Sequence, residues 1–187
     1  MKAVIIGLMG FLIVLAVCGC EVTPKEPEEK QVLVAETDEA IAVMKAKDPS
    51  IQKFFDKSYG YAVLPKIFKG AFIAGGAYGR GEVYEHETRI GYCNMKQLTG
   101  GLSFGTEYYR EIIFFRGKED LEKFKSEEYT FSAQVTGVAL MWGKAAKANY
   151  HDGMAVFIMI DTGLMVDASL GGQKFRFEPT YVLRKVQ

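Results

Sequence analysis

The chain has 187 residues, 49% hydrophobic and 13% aromatic, with 23 basic against 23 acidic side chains. That length suits one domain with a substantial core. The balanced charge argues against a nucleic-acid binder, which carries a basic excess.

Residues 1–19 read as a secretory signal. Lys2 supplies a positive start, 4–17 is apolar, and Val17-Cys18-Gly19-Cys20 has the small residues of a cleavage region. The apolar stretch is too short to span a bilayer of about 30 Å. Gly19 before Cys20 resembles the bacterial lipoprotein signal, which implies acylation of Cys20 and a chain held in the cell envelope. Glu21 stands where inner-membrane retention is associated with aspartate, which points to the outer membrane. With Cys18 removed and Cys20 acylated, Cys93 is the remaining thiol and packing alone must hold the fold.

Residues 21–31 are rich in glutamate and proline with one apolar side chain, a composition that favours disorder. We therefore expect a flexible tether over 20–35 and a single domain over 36–187. Residues 21–40 hold seven acidic and two basic groups, and 44–80 hold seven basic and two acidic, so the neutral total hides a polarised molecule.

Two short helices are predicted next. The spacing of Ala40, Ile41, Val43 and Met44 gives an amphipathic helix over 37–47, capped by Thr37 or Asp38. Asp48-Pro49 caps and starts a second, with Ile51, Phe54 and Phe55 on one face and Lys53 and Lys57 on the adjoining one. A helix packed on a sheet accounts for that pattern, and so does a basic, aromatic helix at a membrane surface.

The stretch GYAVLPKIFKGAFIAGGAYGRG, 60–81, is the most distinctive in the chain. Five glycines between Gly70 and Gly81 exclude a stable helix, since each costs about 1 kcal/mol relative to alanine. They mark strands that bulge or let another backbone approach closely. Further strand-like runs are 71–78, 81–84, 89–94, 99–104, 108–115, 129–140, 145–150, 154–160, 164–169 and 174–177, with Asp152-Gly153 and Asp161-Thr162-Gly163 as hairpin turns. Only 118–125 interrupts them as a helix, with Leu121 and Phe124 on one side. Strands this close leave no room for crossover helices. The expected fold is α+β: a predominantly antiparallel, strongly curved or barrel-like sheet with a few short helices, two N-terminal and one central.

The glycine-rich stretch, together with EIIFF at 111–115, KEDLEKFKS at 118–126, FSAQVTGVAL at 131–140 and MAVFIMIDTGLMVDASLGGQKFRFEP at 154–179, resembles the SYLF domain. That family is called lipid-binding SYLF in bacteria, and fungal relatives include an actin-binding domain. The resemblance covers roughly residues 36–179, with its motifs in the family's order. It implies phospholipid binding, through phosphoinositides in eukaryotic members, and implies no catalysis.

Catalytic patterns are weak. GLSFG at 101–105 matches the nucleophile-elbow pattern, but strand-forming residues follow it where a helix is required. His86 and His151 have no metal-ligand spacing, so no metal or other cofactor is expected. GGAYGRG lacks the lysine and hydroxyl residue of a phosphate-binding loop. Cys93 and Trp142 read as core residues. What remains is a binding surface: Lys53, Lys57, Lys66, Lys69 and Arg80 for head-group phosphate, with Phe54 and Phe68 as apolar membrane contacts. A structural ion pair of Arg80 with Glu82 or another acid is the competing account of that residue. The expected partner is a phospholipid membrane; the alternative is docking on another envelope protein, with actin-type binding as its eukaryotic counterpart.

Overall fold

The computed structural model describes residues 24–71, 74–100, 103–126, 129–131, 139–140, 148–167 and 172–180. The segment 1–19, Cys20 and Trp142 lie outside them.

The first helix, α1, runs Pro27–Lys47, beginning ten residues before the expected Thr37. It is not short, and residues 27–35 of the expected tether belong to it. Composition misled here because glutamate, lysine and glutamine bury little yet are good helix formers. Pro27 sits in the first turn with Glu28 and Glu29, Lys45 and Lys47 lie in the last, and both placements suit the helix dipole. Leu33, Thr37, Ala40 and Met44 form the buried stripe.

A single turn, Pro49–Ile51, leads into α2, Gln52–Lys57. Asp48 accepts from the backbone N–H of Ser50 at 3.0 Å and is buried. Removing this cap by Asp48→Ala is expected to cost about 1 kcal/mol, read as a shift of the urea midpoint at constant slope.

The described strands are β1 (Gly60–Ala71), β2 (Ala74–Glu85), β3 (Thr88–Gly100), β4 (Ser103–Phe115), β5 (Tyr129–Phe131), β6 (Ala139–Leu140), β7 (Met154–Asp167) and β8 (Gln173–Pro179). They form one sheet in the order β5-β8-β3-β2-β1-β4-β7-β6, antiparallel throughout except that β6 runs parallel to β7. The α+β fold with a strongly curved sheet is thus observed. Curvature is visible in one bond: Gln173 of β8 donates to Glu111 of β4 at 3.0 Å, although three strands separate them in the sheet.

Several expected breaks are continuous strand. Residues 74–78 and 81–84, from two expected runs, lie in the single strand β2, whereas Ala71 ends β1, and Leu64-Pro65 forms a bulge within β1. Asp161-Thr162-Gly163 is not a turn: β7 passes through it beside β4, with Asp161 as the extra residue between the Tyr109–Ile160 and Tyr108–Thr162 pairs. A long neighbour that satisfies every backbone group makes a bulge cheaper than a reversal. Asp152-Gly153 is the tight turn its sequence predicts, with φ of 48° and 83°. Residues 148–150 of the expected 145–150 run are not strand.

Two cores lie on opposite faces of the sheet. The inner one holds Leu64, Ile67, Met95, Ile113, Phe115 and Phe175. Helix α3, Lys118–Lys125, adds Leu121 and Phe124 to it. Its start is fixed by Asp120, which accepts from the backbone N–H of Gly117 at 3.0 Å. The outer core packs Ala40 and Met44 of α1 and Phe54 of α2 against Tyr61, Phe114 and Phe157. Cys93 is fully buried on the inner side, and burial pushes its thiol up, away from reactivity.

Candidate functional site

The outer face of the sheet beyond α2 gathers the basic side chains. Strand register places Arg176 beside Asn94, Asn94 beside Arg80, and Arg80 beside Lys66, a row across four strands. The next row toward the β1–β2 hairpin is Lys174, Lys96, Tyr78, Phe68 and Tyr108. Residues two apart on a strand share a face, so both rows point the same way. Phe68 and Tyr108 pack at 5.3 Å between ring centroids yet remain 44% and 38% exposed. The Lys66 ammonium lies 5.4 Å from the centre of the Tyr108 ring.

The N-terminal half of α1 crosses this face and turns part of it into a groove of about 520 Å³. Lys66, Phe68, Tyr78, Arg80 and Tyr108 line the sheet side, and Glu28, Glu29 and Glu36 the helix side. Arg80 pairs with Glu29 at 3.5 Å, both half in water. The sequence allows Glu82 or another acid as the competing partner of Arg80; that acid is Glu29 and the pair is half-exposed, whereas Glu82 is fully buried and taken by Arg89 at 2.6 Å and the Tyr84 hydroxyl at 2.8 Å. That hydroxyl is held protonated by burial first and by the carboxylate second. Farther along, Arg110 is held by Asp161 at 2.8 Å and Glu39 at 3.4 Å, which makes it a structural cation. Beyond the groove, Lys96, Lys174 and Arg176 border a smaller cleft of about 120 Å³.

Of the residues singled out from sequence, Lys66, Phe68 and Arg80 meet here. Lys69 does not: three residues after Lys66 on a strand it faces the other side, where it pairs with Glu107 at 3.7 Å. Phe54 is 3% exposed between Phe114, Phe157 and Tyr150, so it is core and not a membrane contact. It packs at the level of Tyr61, seven residues or about 20 Å from Phe68 along β1. The Lys53 ammonium lies 4.9 Å from the Phe54 ring centre, and Lys57 is exposed on the same short helix. Neither belongs to the basic rows.

Tyr78, Lys96, Tyr108, Lys174 and Arg176 escaped the sequence reading. A signal existed in the alternation of Lys174-Phe175-Arg176-Phe177, but strand order alone puts β8 beside β3, which in turn pairs with β2. Ser103 opens β4, which continues to Phe115 without the helix of a nucleophile elbow. No group of three or more metal-ligand side chains occurs among the described residues. No helix among them is long and apolar enough to cross a membrane.

No family model matches the chain. It is similar to Beta cell expansion factor A of Aeromonas veronii, 28% identical over 155 residues. The match covers 81% of this chain and 59% of that protein, so the chain spans less than two thirds of the relative's length.

Proposed function

We propose that this protein is a SYLF-like envelope lipoprotein, acylated at Cys20, whose domain binds phospholipid membranes without catalysis. The observation that carries this reading is the pairing of two rows on one exposed face: Arg176, Arg80 and Lys66 beside Lys174, Lys96, Tyr78, Phe68 and Tyr108. Lysine and arginine attract head-group phosphate, while amphipathic rings settle at the head-group level. Lys96, Lys174 and Arg176 border the cleft outside the α1 groove.

The test is co-sedimentation of the full chain carrying Cys20→Ser, so that no acyl group contributes, with neutral and anionic liposomes. Each basic group near an anionic surface contributes about 1 kcal/mol, so Lys174→Gln/Arg176→Gln is expected to weaken anionic binding about thirtyfold. The otherwise native chain's binding is expected to fall with added salt. Equal binding by that chain and the doubly substituted one would count against this face and turn attention to protein partners.

A further inference from the structure

We propose that the groove under α1 selects a zwitterionic head group, a phosphate joined to a primary ammonium as in phosphatidylethanolamine. This rests on the membrane-binding reading above and names the lipid class of its deepest part. One wall supplies cations, Lys66 and Arg80, and the facing wall supplies carboxylates, Glu28, Glu29 and Glu36. The floor between them is aromatic, with Phe68 and Tyr108 in contact. A volume of about 520 Å³ lies within the range of small-molecule sites.

The Arg80–Glu29 pair decides between ligands. It is a 3.5 Å contact between half-exposed side chains, a weak pair that a ligand can replace. A purely anionic head group that takes Arg80 leaves Glu29 beside the incoming negative charge, with Glu28 and Glu36 on the same wall. A zwitterion replaces both halves: its phosphate accepts from Arg80 and Lys66 while its ammonium donates to the carboxylates. The ammonium also gains the face of an aromatic floor. The acidic helix over a basic sheet is therefore a dipolar slot matched to a dipolar ligand, whereas the open cleft at Lys96, Lys174 and Arg176 takes anionic surfaces in general.

The experiment is a titration of the full chain, followed by backbone amide shifts at Lys66, Phe68, Tyr78 and Arg80. Dihexanoyl phosphatidylethanolamine, dihexanoyl phosphatidylglycerol and deacylated glycerophosphoethanolamine are the probes, each kept below micelle formation. Phosphatidylethanolamine is expected to bind about tenfold more tightly than phosphatidylglycerol, and Glu29→Gln/Glu36→Gln to reverse that order. Phosphatidylglycerol binding at least as tightly to the native chain, or an order untouched by the double substitution, would overturn the selectivity. In that case loss of both lipids in Lys66→Gln/Arg80→Gln would leave the membrane-binding reading standing. No shift with either lipid would overturn the groove as a lipid site, while the liposome co-sedimentation above decides the membrane-binding reading separately. Equal affinity for the deacylated head group would overturn a lipid as its source.

Discussion

Gly81→Ala is expected to destabilise the protein by about 3 kcal/mol or more, the upper range for forcing an atom into a packed interior. A Cβ at Gly81 would lie 2.1 Å from the Val63 carbonyl oxygen and 2.9 Å from its carbon. Both are backbone atoms of β1, so no side-chain rotation relieves the clash. The close approach comes from the bulge at Leu64 and Pro65, where β1 carries two residues that β2 does not pair. Gly117→Ala is the matched control, because its nearest contact would be an ordinary 3.5 Å to Asp120. Urea unfolding of the two variants checks the argument. A midpoint for Gly81→Ala within the error of Gly117→Ala would show that β1 and β2 separate there at little cost.

The second large effect concerns pH. Glu111 is fully buried in the inner core, where burial pushes its carboxyl up to about 7 from the usual 4.5, against a smaller opposing effect of the Gln173 hydrogen bond. Its Oε1 and that of Gln173 are buried without partners among the described residues. Two acceptors cannot satisfy each other, whereas a neutral carboxyl has an O–H to donate. Cys93 and Tyr109 are further groups that sense the Glu111 charge, and burial keeps both neutral.

Because the folded pKa is raised, the stabilising state is the protonated one. Stability is full below about pH 4.5, falls as the unfolded chain ionises first, and levels off above about pH 7 with a loss of about 3 kcal/mol. Glu111→Gln keeps the shape and the neutral state. It is expected to be about 3 kcal/mol more stable than the native chain at about pH 8 and nearly equal to it at about pH 4. A pH-independent difference between the two chains would place the cost of this residue in packing and not in its charge.

Both residues sit in stretches that the sequence marks clearly, and they show where such reading stops. The glycine cluster announced close backbone approach, and Gly81 against Val63 is that approach. Helix α3 was legible because Leu121 and Phe124 repeat at helical spacing beside opposite charges. The tight turn at Asp152-Gly153 was legible because positive φ selects those residue types. These are local effects, governed by the backbone and nearest neighbours. Misreadings arose wherever a distant neighbour set the outcome. Asp161-Thr162-Gly163 has turn chemistry, but β4 alongside keeps it extended. The segment 27–35 has the composition of a tether, yet Leu33 docks against Tyr92 and the rest continues a helix anchored by Ala40 and Met44.

The binding face divides in the same way. Lys66, Phe68 and Arg80 could be picked out because they crowd one short stretch. Lys69 is as near in sequence, but its odd spacing from Lys66 along β1 sends the two side chains to opposite faces. Phe54 was lost because an aromatic residue on a two-turn helix packs inward once a sheet stands beneath it. Lys96, Lys174 and Arg176 joined only through strand order. By itself, the sequence determined that a glycine-rich, curved antiparallel sheet forms and that opposite charges occupy successive stretches of chain. Tertiary structure alone decided that those charges face each other across a groove, because hydrogen-bonded register brings β8, β3, β2 and β1 into contact while α1 folds back over them.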